Sequence, residues 1–346
     1  MKTLNESTGC ERAAHMLEAL EAGDINRLFS LQSLEGLPKS ADIFSKIEEI
    51  LLCDNPCLAD ETSRVIENAR KLLGKFALLP ENFSLGKLVE SREGEGVFEG
   101  WYGRTRVIIR QVSCRGSRTG LLNLLAEAEI LARVRHERVA GLLGLSLDSD
   151  GRLSMITEHY GTLSLGRAAK ISPEFSRQAR IRAVFHAAQA VMALHALSPS
   201  VVLGNLSANS FRFDGEMGVK LVDLSLASQY PQLPSFKNLP KKLEASQYST
   251  LEDTPSQMPT PTPNHIHTHI PTPKSDIQDF GKMLNSLFPD LSSSQSLDPS
   301  IEPDYFSIQE QLRTLTRECL SVSESKRPSF EEICEKLHAI SSACSS

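Results

Sequence analysis

The chain has 346 residues, enough for one large domain or a domain with an extension, and 40% hydrophobic with 23% charged residues is the composition of a globular protein. A net charge of −6 provides no basic face for nucleic acid or an anionic membrane surface. No apolar run approaches a membrane span, the start has no signal-peptide core, and the seven irregularly spaced cysteines form neither a disulfide framework nor paired metal knuckles. Cys53 and Cys57 are at most half a metal site. The expectation is a cytoplasmic protein with reduced thiols.

Residues 1–80 read as an α-helical extension. Ala13, Met16, Leu17 and Leu20 form one apolar stripe. Ile43, Ile47, Ile50 and Leu51 form a second, and Val65, Ile66, Ala69, Leu72, Leu73 and Phe76 a third, all at helical spacing. From Phe83 the pattern changes to strands over 83–91, 96–103 and 105–112, rich in β-branched and aromatic residues and broken by glycine. Leu121–Val134 reads as a helix, Val139–Leu147 and Leu153–Glu158 as two more strands. Helices dominate from Pro173, the longest being Arg177–Ala196. A mostly antiparallel sheet with one helix, followed by a helical half, is an α+β arrangement. Residues 253–274, rich in proline and threonine, bury too little apolar surface to offset their ordering entropy and are expected to be a disordered loop. His265, His267 and His269 alternate within it and read as incidental polar residues rather than a metal set.

Several short motifs keep a fixed order and spacing. Leu203-Gly204-Asn205, Ser207, Ser210 and Asp223-Leu224-Ser225 stand at the positions of an H-R-D-L-K-x-x-N loop and a following D-F-G. Val107-Ile108-Ile109-Arg110 stands at V-A-I-K, with Glu127 on the next helix. Lys274-Ser275-Asp276-Ile277 precedes Phe280-Gly281, and Lys326-Arg327-Pro328-Ser329-Phe330 follows. Over about residues 83–340 the chain therefore resembles the protein kinase-like superfamily, in particular a pseudokinase of its tyrosine-kinase-like group. The resemblance implies two lobes, an antiparallel β N-lobe with one helix and a helical C-lobe, behind the extension.

Measured against that family, the chemistry is depleted. Asn205 replaces the aspartate that accepts the substrate proton, and an amide is no base at neutral pH; general-base catalysis typically supplies ~10²–10⁴ in rate. Ser207 replaces the loop lysine, and Ser210 the asparagine that holds a second metal. Counting back from Val97, the three phosphate-loop glycines become Glu90, Arg92 and Glu95, with Glu93 between them, so side chains and carboxylates face any polyphosphate. Arg110 keeps the charge of the phosphate-contacting lysine with a different shape. Its expected partner is Glu127, in a pair that either holds the helix inward or is an exposed ion pair worth little. Ile108 adds bulk at the adenine roof and Arg212 replaces the apolar floor. The nucleotide site, whose other positions are Val97, the gatekeeper Thr157 and hinge-like Glu158 and Tyr160, is expected to be filled from within. Asp223 keeps its type, either to bind one magnesium ion or to cap the turn after it.

Other positions read as architectural by the same resemblance. Leu131, Leu203 and Leu224 fall on an apolar spine, Glu252 is expected to pair with Arg327, and Asp276 to hold the loop backbone. Between Phe288 and Ile308 the substrate-docking helix of the family reads as absent or shortened. Thr254, Thr260, Thr262 and Thr272 each precede proline, either as regulatory phosphosites or as mere linker composition. The resulting expectation is an inactive kinase-like scaffold or allosteric regulator that needs no cofactor and binds protein partners, an active kinase among them. The other reading is an atypical, weakly active protein kinase using ATP and magnesium. A lipid-piercing N-terminal bundle would need a basic face that the extension lacks.

Overall fold

A computed structural model describes residues 43–53, 59–92, 94–114, 118–171, 175–214, 218–231, 271–291 and 303–343. The first apolar stripe, Glu252, Thr254, Thr260, Thr262, the three alternating histidines and residues 292–302 lie outside them. Among the described residues two helices come first, α1 (Ile43–Cys53) and α2 (Ala59–Leu73). A five-stranded antiparallel sheet follows in the order β1-β2-β3-β5-β4. Its strands are β1 (Phe83–Arg92), β2 (Glu95–Tyr102), β3 (Thr105–Ser113), β4 (Leu142–Leu147) and β5 (Arg152–Glu158), with helix α3 (Arg118–Leu131) between β3 and β4. Val139, expected inside the fourth strand, makes only an isolated bridge to Leu221.

The second half is helical: α4 (Leu165–Ile171), α5 (Arg177–His195), α6 (Pro273–Leu287), α7 (Pro303–Cys319) and α8 (Phe330–Ala343). Short ribbons pair β6 (Ser200–Val202) with β9 (Ser228–Tyr230), and β7 (Phe211–Phe213) with β8 (Val219–Leu221). The loop 203–210 thus leaves β6 and enters β7 on the C-lobe side of the cleft. No helix among the described residues is long and apolar enough to cross a membrane.

One apolar core runs through the molecule. Ile47, Leu51, Ile66 and Leu73 of the extension, Leu121, Leu125 and Leu131 of α3, and Leu203, Leu224, Phe280 and Leu337 below belong to the same cluster. A second cluster, with Tyr102, Val107, Ile109 and Ile156, covers the opposite face of the sheet.

The loop expected over 253–274 ends earlier than its composition suggested. Helix α6 starts at Pro273, and Thr272 is its N-cap. The Thr272 hydroxyl accepts the Ser275 N–H at 3.2 Å, while the Ser275 hydroxyl is the acceptor for the Thr272 N–H at 2.9 Å. This reciprocal capping with proline at the first helical position is a strong start signal. Thr272 therefore ties down a helix start, which corrects its reading as part of a loop.

On α5, His186 has a buried Nδ1 without a hydrogen-bond partner. Burial, reinforced by the Arg138 cation and opposed by Asp214 and Glu137, lowers its pKa from the ordinary 6.5 to about 4. The unfolded chain therefore takes up this proton first on acidification. The stability that neutral His186 contributes is complete above pH 6.5 and is lost as the pH falls towards 4. Thermal melts between pH 7.5 and 4.5 are expected to show a falling Tm, with a shallower slope in His186→Asn.

Candidate functional site

The cleft lies between the sheet and the C-lobe ribbons. Its back is an apolar cluster of Ile108, Ala140 and Tyr160, with Val97 and Val222 packed against it. Ile108 is 1% exposed, so the roof is covered by the protein itself. Burial pushes the Tyr160 phenol up to about 12. In front of this cluster a cavity of about 730 Å³ remains, which corrects the expectation of a filled pocket. The side chain expected to fill the floor is drawn aside. Arg212 donates to the Asn209 carbonyl at 2.5 Å, and its guanidinium faces Glu90 at 4.0 Å. Two positions that depart from the family, one on β1 and one on β7, thus meet across the cleft.

The lining is charged in both senses. Glu90, Glu95, Glu99 and Asp223 face the cavity together with Lys87, Arg110, Arg167 and Arg212. Glu90, Glu95 and Asp223 were legible in the sequence; Glu99, Lys87 and Arg167 were not, because none of these three belongs to a motif. Strands β1 and β2 end on either side of the position expected for the phosphate loop. Arg92 pairs with Glu95, and Gly94 supplies the positive φ of 74° that this reversal needs. The sheet hydrogen-bonds almost to the turn, and little free backbone remains there to wrap a phosphate.

Arg110 on β3 and Glu127 on α3 form a charge-assisted hydrogen bond. Their side chains are only 17% and 1% exposed, so this is a buried pair, not an exposed one. Burial works against the Arg110 charge, but Glu127, Tyr160 and Asp223 more than offset it and raise its pKa, keeping it a cation. Burial also raises the Glu127 pKa, opposed chiefly by Arg110. Thr157 and Glu158 are set back from the cavity wall. Thr157 donates to the Ile108 carbonyl at 3.5 Å. Glu158 accepts from the Gly141 N–H at 2.7 Å and pairs with Lys220 at 3.0 Å.

In the loop, the Asp276 carboxylate is 0% exposed and accepts from Leu203 N at 2.8 Å and Gly204 N at 3.0 Å. His195 Nε2 lies 2.9 Å from the same group, a contact that no motif announced. Gly204, at φ 73°, holds the left-handed conformation that turns its amide towards Asp276. Leu131, Leu203 and Leu224 are all buried in the common core. Asn205 is exposed at the turn of this anchored loop. The Ser207 and Ser210 hydroxyls face each other at 3.5 Å. Asp223 Oδ1 accepts from both the amide (3.1 Å) and the hydroxyl (2.7 Å) of Ser225. It therefore caps the turn while still facing the cavity. Arg327, paired in expectation with Glu252, donates to the Ser321 and Lys274 carbonyls at 2.9 Å each. Among the described residues, no group of three or more His, Cys, Asp or Glu side chains could hold a metal ion.

The comparisons agree with this architecture. Residues 85–337 match the family model of protein tyrosine and serine/threonine kinases. The chain is 25% identical over 277 residues to a probable leucine-rich repeat receptor-like protein kinase of Arabidopsis thaliana, covering 70% of this chain and 30% of that one. It is 25% identical over 231 residues to the receptor-interacting serine/threonine-protein kinase 1 of Homo sapiens, covering 62% and 34%. A third relative is STRUBBELIG-receptor family 5 of Arabidopsis thaliana, 26% identical over 220 residues and covering 60% and 28%. The chain thus spans about a third of the length of these relatives.

Removing the Asp276 carboxylate leaves the buried Leu203 amide, the half-buried Gly204 amide and a histidine without their acceptor. Asp276→Ala is expected to cost about 3–5 kcal/mol in urea unfolding, the usual range for losing one partner of a buried charged network. Asn205→Asp, on the exposed turn, is expected to stay within about 0.5 kcal/mol of the parent.

Proposed function

The chain belongs to the protein tyrosine and serine/threonine kinase family, and we propose that it is a member of the tyrosine-kinase-like group that binds proteins instead of transferring phosphate. One observation carries this reading. Asn205 stands exposed at the position of the catalytic base, in a loop whose backbone is anchored on Asp276. The loop is built as for catalysis, and the group that should accept the proton is an amide. Misplacement does not explain the loss; the side chain does.

The residues present also fit a magnesium polyphosphate poorly. One metal-binding carboxylate, Asp223, remains, and one of its oxygens already serves Ser225. Ser210 is buried and turned to Ser207, and the turn at Gly94 replaces the phosphate loop. In this reading the cleft is braced by protein groups, namely the Arg110–Glu127 pair and the contact of Glu90 with Arg212. The partners are proteins, an active kinase among them, and the compartment is the cytoplasm.

A second reading, a slow kinase that binds ATP, has its own support in the open cavity of about 730 Å³ with Arg110 and Asp223 on its wall. The relatives are named as kinases as well. A thermal-shift titration of the full chain with ATP, with and without magnesium, separates the two, because a ligand of the native state must raise its stability. The scaffold reading expects no magnesium-dependent shift, and no phosphate transfer by the parent chain or by Asn205→Asp. A shift of several degrees together with transfer would sink it.

Regulation is part of the proposal. Thr254, Thr260 and Thr262 are offered as sites for proline-directed kinases. Thr272 is excluded, since its hydroxyl caps α6. Mass spectrometry after in vitro labelling is expected to find phosphate on the first three and none on Thr272.

A further inference from the structure

Helix α3 carries Glu127 to the cleft, and what lies behind it is the extension. Eleven of its residues, from Gly120 to Leu131, are buried, including Leu121, Leu122, Leu124 and Leu125 on successive faces. A helix apolar on nearly every side must be covered on nearly every side. One side meets the sheet. Helix α2 packs against another side, and α1 packs on α2. Arg118, in the first turn of α3, donates to the Leu51 carbonyl of α1 at 2.9 Å.

The extension is also seated on the sheet itself. After α2 the chain bridges from Ala77 to Leu145, and Leu78 N donates to the Leu145 carbonyl at 2.7 Å. Gly144 on β4 is the floor of this seat. A Cβ there would come within 2.0 Å of the Leu78 side chain and 3.3 Å of the Phe76 carbonyl. The glycine leaves the space that Leu78 occupies.

We propose that α1, α2 and the Phe76–Leu78 segment form a lock on α3. While they are seated, Glu127 is held against Arg110, and unseating them is the event that frees α3 and opens this pair. The state of the cleft is thereby coupled to the extension, at the far side of α3 from the cavity. Nothing in this coupling depends on whether the cleft transfers phosphate, so it stands or falls separately from the scaffold reading. Because coupling between two sites is reciprocal, it can be probed from either end.

The test is hydrogen–deuterium exchange on the full chain. In Gly144→Ala the added methyl displaces Leu78, and amides of 59–73 and 118–131 are expected to exchange about tenfold faster, with α5 unchanged. Glu127→Gln, made at the cleft end, is expected to speed exchange in 43–53 and 59–73. If Gly144→Ala does not accumulate as folded protein, Leu78→Ala empties the same seat and is read in the same way. A freed extension over an α3 that keeps its full protection would overturn the lock. So would acceleration spread evenly over α5, which marks general destabilisation, or a Glu127→Gln variant in which the extension exchanges as in the parent.

Discussion

A carboxylate buried as deeply as that of Glu127 is tolerable only because Arg110 faces it. Much of the upper lobe follows from this constraint. Arg110 must project from the third strand, so the register of β2, β3 and β5 is fixed around it, with Val97 and Met155 as its partners across the sheet. Helix α3 must present Glu127 at the right height, which requires its remaining faces to be buried elsewhere. The extension supplies part of that cover. The buried pair and the helical cover over α3 are two ends of one packing problem.

The lower lobe answers to a similar carboxylate. Asp276 has no exposure and gathers Leu203 N, Gly204 N and His195, so the loop before β7 is defined by donors that converge on one group. His195 in turn packs edge-on against Phe330, which packs against Phe280 of α6. Lys274 and Arg327 add a crossed clasp, each donating to the other's carbonyl. These contacts hold the loop whether or not Asn205 can act as a base.

The architecture was legible because it rests on periodicity and on glycine and proline punctuation. The strands before Glu158 and the helix over 177–195 lie within a few residues of their expected limits. The cleft was less legible, and the reason is physical. Where the Arg212 guanidinium settles depends on the Asn209 carbonyl that it bonds and on Glu90, over a hundred residues earlier in the chain. Glu158 looked like a hinge contact, but its side chain is claimed by Gly141 N and Lys220. Thr272 looked like loop composition until Ser275 and Pro273 were seen to complete a cap. In each case the type of the residue was readable and its partner was not. The one volume inferred from side-chain size, a pocket filled by Ile108 and Arg212, erred for the same reason: a long side chain fills a cavity only if nothing beside the cavity holds it.

The altered positions compensate one another. Glu90 at a glycine position and Arg212 at an apolar floor would each be a liability alone: an anion facing phosphate, and a cation under a ring. Facing each other at 4.0 Å, they form a contact between the lobes that needs no ligand. A partly exposed pair of this kind is worth at most about 1 kcal/mol, too little to hold the lobes. The larger contributions are the apolar cluster of Ile108, Ala140 and Tyr160 at the back of the cleft and the continuous core that joins the extension to both lobes. A cleft supported in this way keeps its shape with nothing bound.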